Sequence, residues 1–546
     1  MELSQVSSKR LDHFGIVAGI CQQIDLIGQI DAQVGAMDRK VSVGQAVQAM
    51  VLNALGFVGR PLYLTPEFYA NKPVDRLIGE GIEAADLNDD SLGRALDWLY
   101  RGGVTEIFAQ VSAHALRVFD IKVRFAHLDT TAFSLHGAYE TEAGSEDEVD
   151  EPVPIQVTYG YSKDHRPDLK QAILSVICAN QLNLPVWLAA LSGNEADKSS
   201  FPGIAKAYLS QFAAEEMPYL VADSALYGAE NLKSLSMVKW VTRVPATINL
   251  AKDLLTQIEP EQMQAATREG YFLYEQRVTY ANIEQRWLLV LYELRREREL
   301  KQLDRQVTKE HQLARKALRK LARRTFACEA DALAAAQQFD TTWKYHHLID
   351  LKPSVTLRYA RPGRPQSDTP MKEHWRIKGM LEVDTQQVVA ARASLGKYII
   401  ATNELDEERL PAEEMLSVYK DQNRSAERGF RFLKDPFFFA SSFFLKKPSR
   451  IMALLMVMGL SLLIYALAEQ SLREQLVEQD ETLPDQKGKP TQTPTMRRVF
   501  QIFEGIDVLI IEEGGQQREQ VLNLRDIHRR ILAFFSVHVR SIYGLH

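Results

Sequence analysis

The sequence predicts a mixed α/β protein: a helical N-terminal domain, a sheet domain with flanking helices, and a β-rich and helical module inserted into that sheet domain. Three observations lead there. Apolar residues recur at helical spacing from about 12 to 115. Strand-like runs follow, two of which lead into an aspartate, in IKVRFAHLDTTAF and PYLVADSALYGAENLKSL. The pattern changes from about 249 to 395, after which a strand and a long helix resume in GKYIIATNE and LSVYKDQNRSAERGFRFLKDP.

Composition sets the limits. With 546 residues, 46% hydrophobic and 25% charged, the chain is long enough for roughly two to four domains with a real core. A formal charge of −6 and a pI near 6.1 do not mark a nucleic-acid binder, so such a role has to rest on local basic patches. Cys21, Cys178 and Cys328 are odd in number and far apart, which suggests neither a disulfide framework nor a zinc site and fits a reducing, cytoplasmic setting. The N-terminus, MELSQVSSKRLDHFG, lacks the apolar core of a signal peptide. IMALLMVMGLSLLIYALA, from Ile451 to Ala468, is uncharged and just at the lower length limit for crossing a bilayer. Polar regions on both sides, together with Gly459, Ser461 and Tyr465, favour a helix buried on all sides, and no membrane partner is expected.

Residues 1–118 read as the helical domain. VGQAVQAMVLNALGFV ends near Gly56 and Gly59, and Ser91 is the expected N-cap of LGRALDWLYRGG, which stops at Gly102 and Gly103. DNA binding by a helix-turn-helix and plain packing or dimerisation both fit this segment. The first part of the sheet domain, 119–248, opens with a strand that ends at Asp129, where Thr130 and Thr131 fix a turn. Asp129 is then either a carboxylate held at the mouth of the fold or simply a turn-former. A solvated acidic insertion over 140–152 precedes three strand-like runs, PIQVTYGYSK, QAILSVICAN and LPVWLAALSG. A further strand, Tyr219 to Ala222, ends at Asp223, and helical spacing follows. The plain alternative is that Asp223 and Ser224 cap that helix. Trp240 to Ile248 supplies one more strand.

The inserted module, 249–395, has strand-like runs on either side of a long helix, Leu294 to Arg324, with 12 Lys/Arg against 4 Asp/Glu. Leu303, Val307, Ala314 and Leu321 give it one apolar seam. Its net charge suits a solvated face or a phosphate-tracking one equally well. In the second part of the sheet domain, 396–475, Arg424, Glu427, Arg428, Arg431 and Lys434 recur at offsets of three and four on one helix face, with Phe430 and Leu433 on another. A glutamate among four bases is either a salt-bridged surface or an acid held ionised beside an anionic substrate. Asp435 and Pro436 end the helix, and the eight bases and three acids of 417–450 make this stretch locally positive. Residues 476–546 read as a C-terminal tail suited to protein contacts.

Three acids in such settings have a common use. Magnesium-dependent phosphodiester chemistry needs hard oxygen ligands and a pair of ions to activate the nucleophile and stabilise the leaving oxygen. Two strand-end aspartates and a helix glutamate supply them, while the bases on the same helix hold the phosphate backbone.

HLDTTAF, YGYSKDHRPDLKQ, ADSALY and above all YKDQNRSAERGFRFLKDPFFFASSFFLKKPSRI resemble DDE transposases of bacterial insertion sequences, and within these the group of insertion-sequence family four. The resemblance runs over nearly the whole chain. It implies an RNase H-like mixed sheet interrupted by an inserted module before the glutamate helix. It makes Asp129, Asp223 and Glu427 the acidic triad, catalytic and metal-ligating, with two Mg2+ (or Mn2+) ions. Tyr419, Arg424, Arg428, Arg431 and Lys434 become the DNA-binding side chains. Glu427 to Lys434 keeps the family's spacing of seven, whereas Tyr419 stands eight before Glu427 where the family has seven, and Gln422 competes with Arg424. The implied activity is cut-and-paste transposition: nicking at the element's ends, then attack by the exposed 3′-hydroxyl on target DNA. Implied partners are double-stranded DNA, as terminal inverted repeats and target, and a second copy of the chain in a synaptic complex in the bacterial cytoplasm. A DNA nuclease that does not join strands and an inactive DNA-binding derivative are the competing readings.

Overall fold

The computed structural model describes residues 5–35, 39–57, 61–137, 139, 153–162, 165–180, 184–213, 216–360, 370–434, 445–513 and 516–545, with the side chains of 5, 422–428, 432, 513 and 516 left aside. The acidic stretch expected at 140–152 therefore lies outside the described residues, as does the stop at Asp435 and Pro436. Two compact units emerge: Met1–Thr242, Ala281–Ile283 and Ser417–His546 form one, and Arg243–Tyr280 with Glu284–Leu416 form the other.

The helical N-terminal region forms for local reasons. Ser42 caps Val43–Leu55, its Oγ accepting from the Gln45 N–H at 3.1 Å while Gln45 Oε1 accepts from the Ser42 N–H at 2.9 Å. The helix Asp89–Arg101 starts earlier than expected, because Asn88 and not Ser91 is the cap; the Ser91 N–H donates to Asn88 Oδ1 at 3.0 Å. Both helices, together with Val104–Val118, pack on the long helix Pro448–Glu478. That helix is apolar all round, and 89% of its most apolar window is buried inside the protein, as a core helix requires. Gly459 lets it come close to Leu188 and Phe108, since a Cβ there would sit 2.5 Å from Leu188 Cδ1.

The first unit also contains strands. β1 (Gln5–Arg10), unannounced by any periodicity, pairs antiparallel with Asp507–Glu513, which pairs in turn with Gln516–Leu522. The C-terminal stretch read as a contact tail is thus built into the N-terminal fold. Val508, Phe503 and Tyr543 are buried, and Tyr543 Oη donates to the Asp12 carbonyl at 2.6 Å.

Its main sheet runs β2 (Phe125–Leu135), β3 (Lys170–Ala179), β4 (Leu184–Ser192), β5 (Tyr219–Ala222) and β6 (Trp240–Val244) in the order β4-β3-β2-β5-β6. β3 is antiparallel to both its neighbours, whereas β2, β5 and β6 run parallel. The fold is therefore a mixed α/β one, as expected. Among the described residues PIQVTYGYSK contributes a single bridge, Thr158 to Gln171. Gly160 lies too close to the Gly193 carbonyl for any side chain, 2.0 Å from a built Cβ, so the segment crosses the sheet edge without extending along it.

In the second unit β7 (Gln264–Ala265), β8 (Tyr271–Tyr280) and β9 (Ile283–Tyr292) lead into the helix Glu293–Arg323, close to its expected bounds. The helix Glu329–Asp340 and a two-stranded ribbon, β10 (His346–Tyr359) against β11 (Met371–Val383), follow. β12 (Lys397–Thr402) pairs antiparallel with β9. Ala314, Phe326, Ala336, Phe339 and Ile377 form a small separate core. Arg286 is wholly buried, paired with Glu275 and donating to the Leu410 carbonyl at 2.9 Å, which satisfies a charge that would otherwise be costly inside.

Candidate active site

β2 and β5 pair in parallel at Phe125 with Tyr219, Ala126 with Leu220 and His127 with Val221, each pair 94 residues apart. Asp129 and Asp223 are separated by the same interval. They stand at one register position on neighbouring strands, two residues beyond the last recorded pair, and parallel partners point to the same face. Their backbones are about one strand spacing, ~4.8 Å, apart.

Asp223 follows the last residue of β5, as expected. It does not cap the following helix, which starts at Ala229 with Gly228 as its N-cap. Instead Asp223 closes a turn: its Oδ1 accepts from the Ala225 N–H at 2.8 Å, and its carbonyl accepts from Thr242 Oγ1 at 2.7 Å. Asp129 departs from expectation, since β2 continues six residues past it to Leu135. Thr130 and Thr131 do not turn the chain. β-branched and buried, they pair with Ser175 and Leu174 and carry the strand on. Asp129 Oδ1 accepts from the Thr130 N–H at 2.8 Å, and Thr130 Oγ1 donates to Asp197 Oδ1 at 2.5 Å. Asp129 is thus a mid-strand residue whose neighbour on β5 has just ended, and a strand end is not needed to expose it.

Alternation along β2 puts His127, Asp129, Thr131 and Phe133 on one face. Lys434, just past the end of the helix Ala412–Leu433, holds its Nζ 5.9 Å from the Phe133 ring centroid. The same helix packs on the core helix at Gly429, where a Cβ would lie 3.1 Å from Leu462 Cδ2. Its C-terminal turns are therefore anchored over the face that carries Asp129. Phe430 and Leu433 are its buried side, as expected, Arg431 is exposed, and Tyr419 and Lys434 are half-buried. Glu427 lies on this helix two turns before Lys434, about 10 Å along the axis. The side chains of Glu427, Arg424 and Arg428 lie outside the described residues.

Below the aspartates the surroundings are neutral. His127 is wholly buried, neither ring nitrogen has a hydrogen-bond partner among the described residues, and burial lowers its pKa to about 4, so it is uncharged at neutral pH. Cys178, opposite His127 on β3, is pushed up to about 12 by burial, with the Asp129 charge adding to the effect. Two carboxylates side by side over such a floor repel one another and gain from a shared cation. As hard oxygen donors they fit a magnesium-type ion. Among the described residues no group of three or more His, Cys, Asp or Glu is placed to hold a metal.

Two contributors escaped the sequence reading. Thr242, in a strand that carried no motif, braces the Asp223 backbone. Phe133 lies inside HLDTTAF, and its period-two relation to Asp129 was the available signal.

Sheet and helices together define a mixed α/β protein in which two aspartates fall at one register position on parallel strands. Comparison with known families matches residues 6–113 to a family described as a domain of unknown function, DUF4277. No curated protein matches the chain. Among solved structures it is similar to the piggyBac transposase synaptic complex with hairpin DNA, determined by cryo-EM, at 9% identity and a TM-score of 0.37, over 92% of this chain and 82% of that one.

Proposed function

We propose that the chain is a DDE transposase that cleaves DNA at the ends of an insertion sequence and transfers the freed strand to target DNA. The observation that carries this reading is the equal register of Asp129 and Asp223 on one face, beneath a helix anchored there through Lys434. The order β4-β3-β2-β5-β6, in which β3 alone of these five runs against its neighbours, supports the RNase H-like form of the fold.

Asp129, Asp223 and Glu427 would hold two divalent ions, Mg2+ or Mn2+, which when bound supply activation of the attacking oxygen and charge relief at the leaving oxygen. The chain's own side chains do the rest. Lys434 and Arg431, with Arg424, Arg428 and Tyr419, grip the DNA backbone and hold the scissile phosphate over the carboxylates. The neutral, buried His127 and Cys178 keep the floor of the site dry and uncharged, so the carboxylates stay oriented toward the face. Duplex DNA is the partner, a homodimer the working assembly, and the cytoplasm its location.

The test is a cleavage and strand-transfer assay on DNA carrying the inverted repeats that flank the coding region. Asp129→Asn, Asp223→Asn and Glu427→Gln are each expected to abolish both products while DNA binding persists. Cleavage without joined product would leave a nuclease, and full activity in any of the three variants would remove the triad.

A further inference from the structure

The ribbon of the second unit has two unlike faces, sorted by its register. On one, Ile377 is buried in the module core and the row runs outward through Val355 and Leu357. On the other, Lys352 stands directly opposite Lys378, Ser354 opposite Arg376, Thr356 opposite His374, and Arg358 opposite Lys372. Between Lys352 and Arg358 this second face bears five permanent cations and no carboxylate. None of the five makes an ion pair among the described residues; the module's ion pairs run elsewhere, as from Glu310 to His346 and Asp304 to Arg392.

Like charges placed directly across an antiparallel pair destabilise it, and here two such pairs occur on one exposed face. A surface kept only for solubility mixes its signs. In a chain with six more acids than bases, a one-signed row is a local exception. From Lys352 to Arg358 the row spans about 20 Å, and a two-stranded ribbon is a shape that the DNA major groove admits. We propose that this face of the β10–β11 ribbon is a docking surface for the phosphate backbone of duplex DNA, engaged through Lys352, Arg358, Lys372, Arg376 and Lys378. The choice of DNA among polyanions rests on the function proposed above. The surface itself shares no residue with the acidic site and reads no sequence.

The test uses the full-length chain and a fluorescein-labelled duplex of arbitrary sequence, titrated between about 50 and 200 mM salt. Lys372→Glu combined with Lys378→Glu turns both like-charge pairs into opposite-charge pairs. The double variant is therefore expected to melt no lower than the wild type while its DNA affinity falls about tenfold or more and its salt slope drops by about two. Lys352→Glu with Arg358→Glu, made from the opposite strand, is expected to do the same. Unchanged affinity in both folded variants overturns the proposal. So does loss of self-association in the absence of DNA with affinity intact, which would make the ribbon a contact between subunits. Wild-type protein that binds the duplex through this ribbon but never cleaves leaves the proposal standing and removes the transposase reading. Cleavage at the element's ends with indifferent ribbon variants does the reverse.

Discussion

Lys434 and Phe133 join the last turn of the glutamate helix to the strand that carries Asp129, Nζ to ring centroid 5.9 Å. Phe133 and Asp129 are four residues apart on β2 and share a face. The contact places the lysine over the face of β2 that also carries Asp129.

Lys434→Ala is therefore expected to weaken binding of end DNA by about 1–2 kcal/mol and to reduce the salt slope by about one. Phe133→Leu keeps the apolar volume and removes only the ring, so the loss is expected to stay near 0.5–1 kcal/mol. Fluorescence anisotropy across a salt series separates the two.

The β2–β5 register, carried on by two residues, sets Asp129 beside Asp223, where two carboxylates repel one another. Asp223→Asn relieves that repulsion and is expected to raise the melting temperature of the metal-free protein by about 1 °C, about 1 kcal/mol. If the pair holds the proposed ion, Mg2+ is expected to raise the wild-type melting temperature further and Asp223→Asn to cancel that rise. Differential scanning calorimetry with and without the ion reads both effects. A variant that melts lower than the wild type without metal would mean that the two carboxylates do not face one another.

Much of this arrangement is legible from residue order alone, for physical reasons that also mark where legibility ends. Helical periodicity and capping chemistry are local, so Val43–Leu55, Glu293–Arg323 and the core helix Pro448–Glu478 fall near their expected places. Asp223 follows an apolar run closed by a turn, a local signal too. Asp129 misleads because two threonines after an aspartate serve a turn and a strand equally well, and only pairing with β3 decides. The pairing of Gln5–Arg10 with Asp507–Glu513 joins segments some 500 residues apart, and no local pattern announces it. The same holds for Lys434 over Phe133.

His13 is buried, its Nε2 paired with the Leu55 carbonyl at 3.0 Å and its ring stacked on Phe500. Burial first, then the nearby Lys72 charge, lower its pKa to about 4, against a gain from the Leu55 hydrogen bond. Since the unfolded state takes up this proton below about 6.5 and the folded state only below about 4, the contribution is full above pH 6.5 and is lost as pH falls toward 4. The slope in that window is expected to be about 1.4 kcal/mol per pH unit for this residue. Denaturant unfolding at several pH values measures it. His13→Gln is expected to lower stability throughout and to remove this share of the slope.

The closeness of the two chain ends gives a sharper test of the packing. At Gly19 a Cβ would meet the Val539 Cα at 2.5 Å, backbone against backbone, so no side-chain rotation relieves it. Gly19→Ala must push the helix Val537–Ile542 off the helix Phe14–Gln23 and is expected to cost about 2–3 kcal/mol. Gly203 offers the opposite case: it is exposed within Asp197–Leu209, and nothing lies within 4 Å of a built Cβ. Gly203→Ala therefore gains helix propensity without a clash and is expected to add about 0.5–1 kcal/mol. Urea midpoints of the two variants should move in opposite directions with little change of slope. If Gly19→Ala unfolds at the wild-type midpoint, the C-terminal residues do not pack on the N-terminal helix in solution and regain the role of a free contact segment.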